Sequence, residues 1–303
     1  MHRVSSGECR LLIVGAGAAG ISAACAARDA GCRDVVLVDR GVKPGGILPQ
    51  CLHEGFGLVA FGRELTGPQY AARLAGRLEV SGVTFLPNTD VLSVSEERIA
   101  VLSRQADLER LRFRRLILAS GCREKSIGAL SVAGTRPAGI FTAGQAQERL
   151  NLRHQDLGSE ILILGSGDLG MIMARHFKLA GKHVIAVLER ENHYGGMARN
   201  FHRCMETFSI PLRCRMTVSE IHGEGRITGV TAVNLDSGVR EYIPCDTLIT
   251  ALGLIPERAL IQGLEDKDWL SLAGNCSRVH DILDSAAAEA EQIGRLVGSA
   301  LAV

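Results

Sequence analysis

Aromatic residues make up only 4% of this 303-residue chain, with one tryptophan and three tyrosines. A base-stacking surface for single-stranded nucleic acid needs more of them. Charge of one sign is also missing. Thirty-four Lys and Arg stand against 33 Asp and Glu, a net charge of +1, so neither nucleic acid nor anionic lipid has an electrostatic footprint to bind. No apolar run approaches the roughly 20 residues of a membrane span. The nine cysteines, Cys9, Cys25, Cys32, Cys51, Cys122, Cys204, Cys214, Cys245 and Cys276, include no C-x-x-C or C-x-x-x-x-C spacing. That excludes a local dithiol and zinc-ligand spacing, and an odd count without framework spacing points to a reducing cytoplasm. The stretch from Leu11 to Ala27 is apolar and follows basic residues. Gly15, Gly17 and Gly20 interrupt it, so it does not read as a secretory leader.

Glycine, by contrast, is plentiful at 35 residues, and its placement is informative. The run Leu11-Leu12-Ile13-Val14 breaks into Gly15-Ala16-Gly17-Ala18-Ala19-Gly20. The run Ile161-Leu162-Ile163-Leu164 breaks into Gly165-Ser166-Gly167-Asp168-Leu169-Gly170. Each is a buried parallel strand leading into G-x-G-x-x-G and a helix. The first glycine makes the tight turn, the second lets a pyrophosphate approach the backbone, and the third packs the helix close to the sheet. The helix N-terminus aims free N–H groups at the phosphates. Its dipole is worth only about 0.3–1 kcal/mol, so hydrogen bonds and turn shape supply most of the recognition. An acid follows each fingerprint at the end of the next apolar run: Asp39 after Val35–Val38, and Glu189 after Val184–Leu188. Both are placed to take ribose hydroxyls. A carboxylate at Glu189 favours NADH over NADPH, whose extra phosphate it repels. Arg190 beside it offers the opposite charge and keeps NADPH as the less favoured alternative.

The two halves repeat beyond their fingerprints. Each reads as βαβ, then an antiparallel meander, then a buried strand ending in glycine, Gly121 in the first and Gly253 in the second. The expected fold is α/β, with two Rossmann-like three-layer ββα domains, the second inserted into the first. Residues 1–125 and 251–303 form the first domain, 126–158 a connector with a short helix near 142–152, and 159–250 the second domain. A last helical pattern, from about Asp281 to Leu301, is expected to return to the first domain.

With these motifs the chain resembles the two-dinucleotide flavoprotein superfamily typified by thioredoxin reductase and glutathione reductase. The superfamily's mid-chain strand-plus-glycine motif matches Leu118-Ala119-Ser120-Gly121. Its later motifs match Gly253-Leu254-Ile255-Pro256 and, with Asn in place of Asp, Gly274-Asn275. Four segments narrow the resemblance: residues 45–57 (GGILPQCLHEGFG), 65–71 (LTGPQYA), 134–140 (GTRPAGI) and 279–281 (VHD). They are similar to bacterial FAD/NAD oxidoreductases related to the alpha subunits of hydrogen cyanide synthase, opine oxidase and sarcosine oxidase.

The resemblance implies FAD on the first fingerprint, held by Gly15, Gly17, Ala18, Ala19, Gly20, Asp39, Arg40, Gly45, Gly46, Gly121, Asn275 and Asp281. It implies NAD(P)H on the second, held by Gly165, Gly167, Asp168, Gly170, Glu189 and Gly253. Asn275 still offers a carbonyl to a ribityl hydroxyl, and Asp281 is placed to cap the last helix. Candidate catalytic residues are Cys51, as a peroxidase-type or charge-transfer thiol, and His53 and His280, as proton carriers.

The expected activity is hydride transfer between NADH and FAD, with electrons leaving to an iron–sulfur or CxxC-containing partner subunit or to a small acceptor. Two alternatives stand beside it. One is a flavin dehydrogenase subunit oxidising an amine, opine or other small metabolite. The other is a non-catalytic scaffold with weakened flavin binding, because the stretch from Glu257 to Leu272 is shorter than the superfamily's usual connection.

Overall fold

The two apolar runs ahead of the glycine fingerprints become buried parallel strands, and each organises one compact unit of the chain. The computed structural model describes residues 7–105 and 107–302. One unit comprises the chain through Arg123 and again from Ile255; the other is Glu124–Leu254.

In the first unit, β1 (Glu8–Val14) leads through the fingerprint into α1 (Ala18–Asp29), and the chain returns as β2 (Val35–Val38). A second crossover runs through α2 (Gly67–Val80) to β3 (Thr84–Leu86). Thr66 and Gln69 form a capping box at the start of α2, each satisfying an otherwise orphaned N–H. A meander follows: β4 (Asp90–Val94), β5 (Ile99–Arg104) and the long β6 (Asp107–Leu118). The sheet order is β3-β2-β1-β6-β5-β4. The β1 strand pairs parallel with β2 (Ile13 opposite Leu37) and with β6 (Ile13 opposite Ile117). Strands buried on both faces read as unbroken Val, Ile and Leu, and β2 is buried at all four positions.

The second unit repeats this plan. Strand β7 (Ile140–Thr142) and helix α3 (Ala143–Asn151) precede β8 (Glu160–Leu164), α4 (Asp168–Leu179) and β9 (His183–Glu189). Then come β10 (Leu212–Cys214), a meander of β11 (Met216–Gly223), β12 (Ile227–Asn234) and β13 (Arg240–Pro244), and finally β14 (Thr247–Thr250). The five parallel strands lie in the order β7-β14-β8-β9-β10. Residues 126–158 are therefore not a free connector. Ala133–Gly134 pairs with β11, and β7 pairs with β14 as an edge of the parallel sheet. Thr142 and Gln145 cap α3, and the Glu124 carboxylate accepts the Gly144 N–H at 2.9 Å. That set of bonds fixes the segment where composition alone suggested a linker.

The chain then re-enters the first unit. Strand β15 (Leu270–Leu272) pairs parallel with the end of β6, and α5 (Leu283–Ala300) lies on α1. Gly294 and Gly298 face Ala23 and Ala27 so closely that a Cβ on Gly294 would stand 2.3 Å from the Ala23 carbonyl oxygen. This close approach lets α5 seal the helix-side core of Ile21, Ala24, Ala290 and Val297.

Candidate functional site

The first fingerprint has the geometry its glycines require. Gly15 takes φ +104°, in the left-handed region, to turn out of β1. A Cβ on Gly20 would stand 1.7 Å from the Gly15 carbonyl oxygen, so only glycine lets α1 pack this close. A Cβ on Gly17 would meet nothing nearer than Gly46 Cα at 3.9 Å, which leaves the helix N-terminus open to a ligand. Half-buried Asp39 accepts the Ala16 N–H and the Gly41 N–H, each at 2.6 Å. The diglycine turn then returns to the same place. The Gly45 N–H donates to the Ala16 carbonyl at 2.7 Å, and Gly46, at φ +58°, sits against Gly17. Gly274 packs on Ala19, and Gly121 is left-handed with open space beside it. Arg40 is exposed.

The second fingerprint reproduces this arrangement. Gly165 takes φ +103°, a Cβ on Gly170 would stand 2.2 Å from the Gly165 carbonyl oxygen, and Gly167 faces open space. Gly253 matches Gly121: both are left-handed and unobstructed. Glu189 is deeper than Asp39, at 8% exposure. One of its oxygens accepts the Ser166 N–H at 2.9 Å and the Ser166 hydroxyl; the other accepts the Glu191 N–H at 2.9 Å. Burial pushes its carboxyl up, but the Glu191, Ser166 and Arg190 donors outweigh burial and hold it below its ordinary 4.5. It is an anion at neutral pH.

A model of the family described as pyridine nucleotide-disulphide oxidoreductase matches residues 9–272. The chain belongs to this family. It is 27% identical over 280 residues to hydrogen cyanide synthase subunit HcnB of Pseudomonas aeruginosa, covering 84% of this chain and 59% of that protein. It is 23% identical over 274 residues to a thioredoxin reductase of Streptomyces clavuligerus, covering 89% of this chain and 82% of that one. Among solved structures, the thioredoxin reductase of T. acidophilum superimposes with a TM-score of 0.79 at 20% identity, covering 97% of this chain and 99% of that chain. The structural likeness establishes the shared thioredoxin reductase-like fold. Membership in the family implies FAD and NAD(P) as cofactors, and both cradles fit them: each has an open second glycine, a helix N-terminus and an anchored carboxylate.

The remaining candidate residues are held by local contacts of their own chain. Cys51 is buried, its thiol directed at the Ile47 carbonyl at 3.5 Å, and burial pushes it up to about 12. That environment opposes a reactive thiolate. None of the nine cysteines forms a disulfide. His53 is half-buried, with Nδ1 2.9 Å from the Glu54 carbonyl and its ring against Phe56. His280 has Nε2 3.0 Å from the Glu289 carboxylate, and its N–H donates to Asn275 Oδ1 at 3.0 Å. Asn275 thus spends one carbonyl lone pair on its own loop, and its amide faces Cys122 Sγ at 3.6 Å. Asp281 is exposed and does not cap α5, whose N-cap is Ile282 with no side-chain cap bond.

Asp284, one turn later, is the buried acid that sequence reasoning passed over. It accepts the Gly57 N–H at 3.2 Å and the Val59 N–H at 2.8 Å. In the second unit Asp168 is tied to a neighbouring segment: its Oδ1 accepts the Met197 N–H at 2.8 Å and the Asn200 side-chain N–H at 2.7 Å. Ser166 was also missed, although an x position of a fingerprint that carries a hydroxyl is a visible signal.

Proposed function

We propose that the protein is an FAD-dependent oxidoreductase that passes hydride between NADH and FAD, then hands electrons to a partner protein or a small acceptor without a redox disulfide of its own. The observation that carries this reading is the pair of matched cradles, each with a carboxylate anchored on its own fingerprint. When bound, FAD and NADH supply the hydride chemistry. The chain binds and orients them: the α1 N-terminus and Asp39 take the pyrophosphate and adenosine ribose of FAD, and the α4 N-terminus and Glu189 take those of NADH. The buried Glu189 anion supports NADH over NADPH. The residues 1–123 and 255–303 serve as the FAD unit and 124–254 as the NADH unit. Cysteine spacing without a C-x-x-C or C-x-x-x-x-C pair supports delivery of electrons to another molecule and a reducing, cytoplasmic setting.

A second reading, a subunit whose flavin oxidises a small metabolite, is favoured by the likeness to a protein named as a hydrogen cyanide synthase subunit. The chain spans 59% of that relative's length, so the partner remains part of the proposal. A visible spectrum of the purified protein, before and after anaerobic NADH, separates the readings. A yellow protein bleached by NADH supports the first. A yellow protein that NADH leaves unchanged supports the second. A protein that stays colourless after reconstitution with FAD sinks both and leaves the scaffold alternative.

A further inference from the structure

The duplication extends past the fingerprint and its acid. Asp39-Arg40 is followed after four residues by Gly45-Gly46, and Glu189-Arg190 after four residues by Gly195-Gly196. In each unit the diglycine returns to the fingerprint turn, but the two are fastened differently. In the first unit the backbone does the fastening, from the Gly45 N–H to the Ala16 carbonyl. In the second it is done by the polar side chains that stand where Ala16 and Ala18 stand in the first. The Gly195 N–H donates to Ser166 Oγ at 2.9 Å. Because the Ser166 hydroxyl spends its one proton on Glu189, it must accept from Gly195, and a relay runs from the diglycine through Ser166 to the ribose acid. Asp168 Oδ1 accepts the Met197 N–H and the Asn200 amide. The Tyr194 ring stacks on Phe201 with centroids 4.3 Å apart. Gly196 fits only as glycine, since a Cβ there would stand 2.7 Å from Asp168 N and 2.6 Å from its carboxylate. Beyond it, residues 201–206 wind as a π-turn, a form frequent where a segment serves a site.

We propose that residues 193–200 are a strap that walls the second cradle, pinned there by the fingerprint's own side chains, with Ser166 and Asp168 acting as positioning residues for the dinucleotide. The inference rests on the reading that this cradle binds a nicotinamide dinucleotide. The pins fix the strap before the ligand arrives, so the ordering cost is met in the free protein. Asp168 acts as an acceptor rather than as a charge. Asn at that position keeps a carbonyl for Met197 and Asn200, whereas Ala keeps nothing. Removing the carboxylate charge beside the helix N-terminus also lifts a repulsion on the pyrophosphate.

Hydrogen–deuterium exchange of the full-length chain, read on the peptides covering 193–200, tests the pins directly. Titration calorimetry with NAD+ tests their effect on binding, and thermal unfolding of each variant controls for global damage. Ser166→Ala, Asp168→Ala and Gly196→Ala, the last leaving both pins in place but forcing the strap away, should each speed exchange of the strap and weaken NAD+ by roughly three- to tenfold. Asp168→Asn should keep the slow exchange of the wild type and bind NAD+ at least as tightly. The strap is refuted if exchange is unchanged in Ser166→Ala and Asp168→Ala, or if Asp168→Asn is as loose as Asp168→Ala. Loosened exchange with unaltered NAD+ affinity refutes the positioning role. If the wild-type chain fails to bind NAD+ at all, the nicotinamide reading falls and the positioning role with it, while the exchange data still decide whether the pins exist.

Discussion

Replacing Glu189 by Gln should change which nicotinamide dinucleotide the protein takes. The carboxylate is 8% exposed, with one oxygen on Ser166 and the other on the Glu191 N–H. It is held in its anionic form below its ordinary 4.5. The extra phosphate of NADPH would bring one or two negative charges beside it. Two unit charges 4 Å apart repel by about 1 kcal/mol in water and about 4 kcal/mol at an effective dielectric of 20, and a carboxylate this deep lies between those limits. Glu189→Gln keeps an oxygen for Ser166 and removes the charge. The preference for NAD+ over NADP+ should therefore fall by at least about fivefold, and by as much as several hundredfold. The new amide also faces the Glu191 N–H, and losing that bond costs about 1 kcal/mol. That loss weakens both nucleotides alike and cancels in their ratio. Calorimetric titration of wild type and variant with NAD+ and NADP+, at low ionic strength so that screening does not hide the effect, gives the ratio directly. A change smaller than about twofold would refute the idea that Glu189 sets the choice.

Other outcomes follow from the same contacts. The folded-state carboxyl of Glu189 lies below its unfolded value, so its contribution to stability is full above the ordinary carboxyl range and is lost as pH drops through the folded value. Urea midpoints of wild type and Glu189→Gln should converge as pH falls from about 5 to about 3. Gly294→Ala would place a Cβ 2.3 Å from the Ala23 carbonyl oxygen and should cost about 1–3 kcal/mol, seen as a lower Tm. Gly76→Ala, in α2 with nothing within 4 Å, should instead gain about 0.5–1 kcal/mol. With its thiol pushed up to about 12, Cys51 should resist iodoacetamide at pH 8 in the native protein and react on unfolding, and Cys51→Ala should leave flavin reduction by NADH within about twofold of wild type.

Much of the two cradles was legible because it is written in local residue types. Gly15 and Gly165 must turn out of a strand, Gly20 and Gly170 must admit a helix, and no other residue satisfies either demand. The acids were legible by spacing. The partners of polar side chains were not, because bonds such as Asn275 to His280 or Asp284 to Val59 depend on how segments distant in sequence meet. Asp281 looked like a cap because it stands just ahead of the apolar helix pattern, yet α5 begins two residues later and the buried acid is Asp284. Strand β7 escaped notice because three residues carry no periodicity; its place is set by pairing with β14. The second diglycine lay at the same distance from its acid as the first, and comparing the halves past the acids would have found it.

Helix α5 covers α1, yet everything from Glu124 to Leu254 is translated between them. On the ribosome the inserted unit has all of its own strands as soon as it emerges, and it can fold while the surrounding unit still waits for its closing helix. Until that helix arrives, the small-residue face of α1 around Ala23 and Ala27 stands uncovered in the nascent chain. The step that seals this face, and with it the lining behind the first cradle, therefore comes after the inserted unit has emerged, and it exposes the first unit to chaperones for longer than the second.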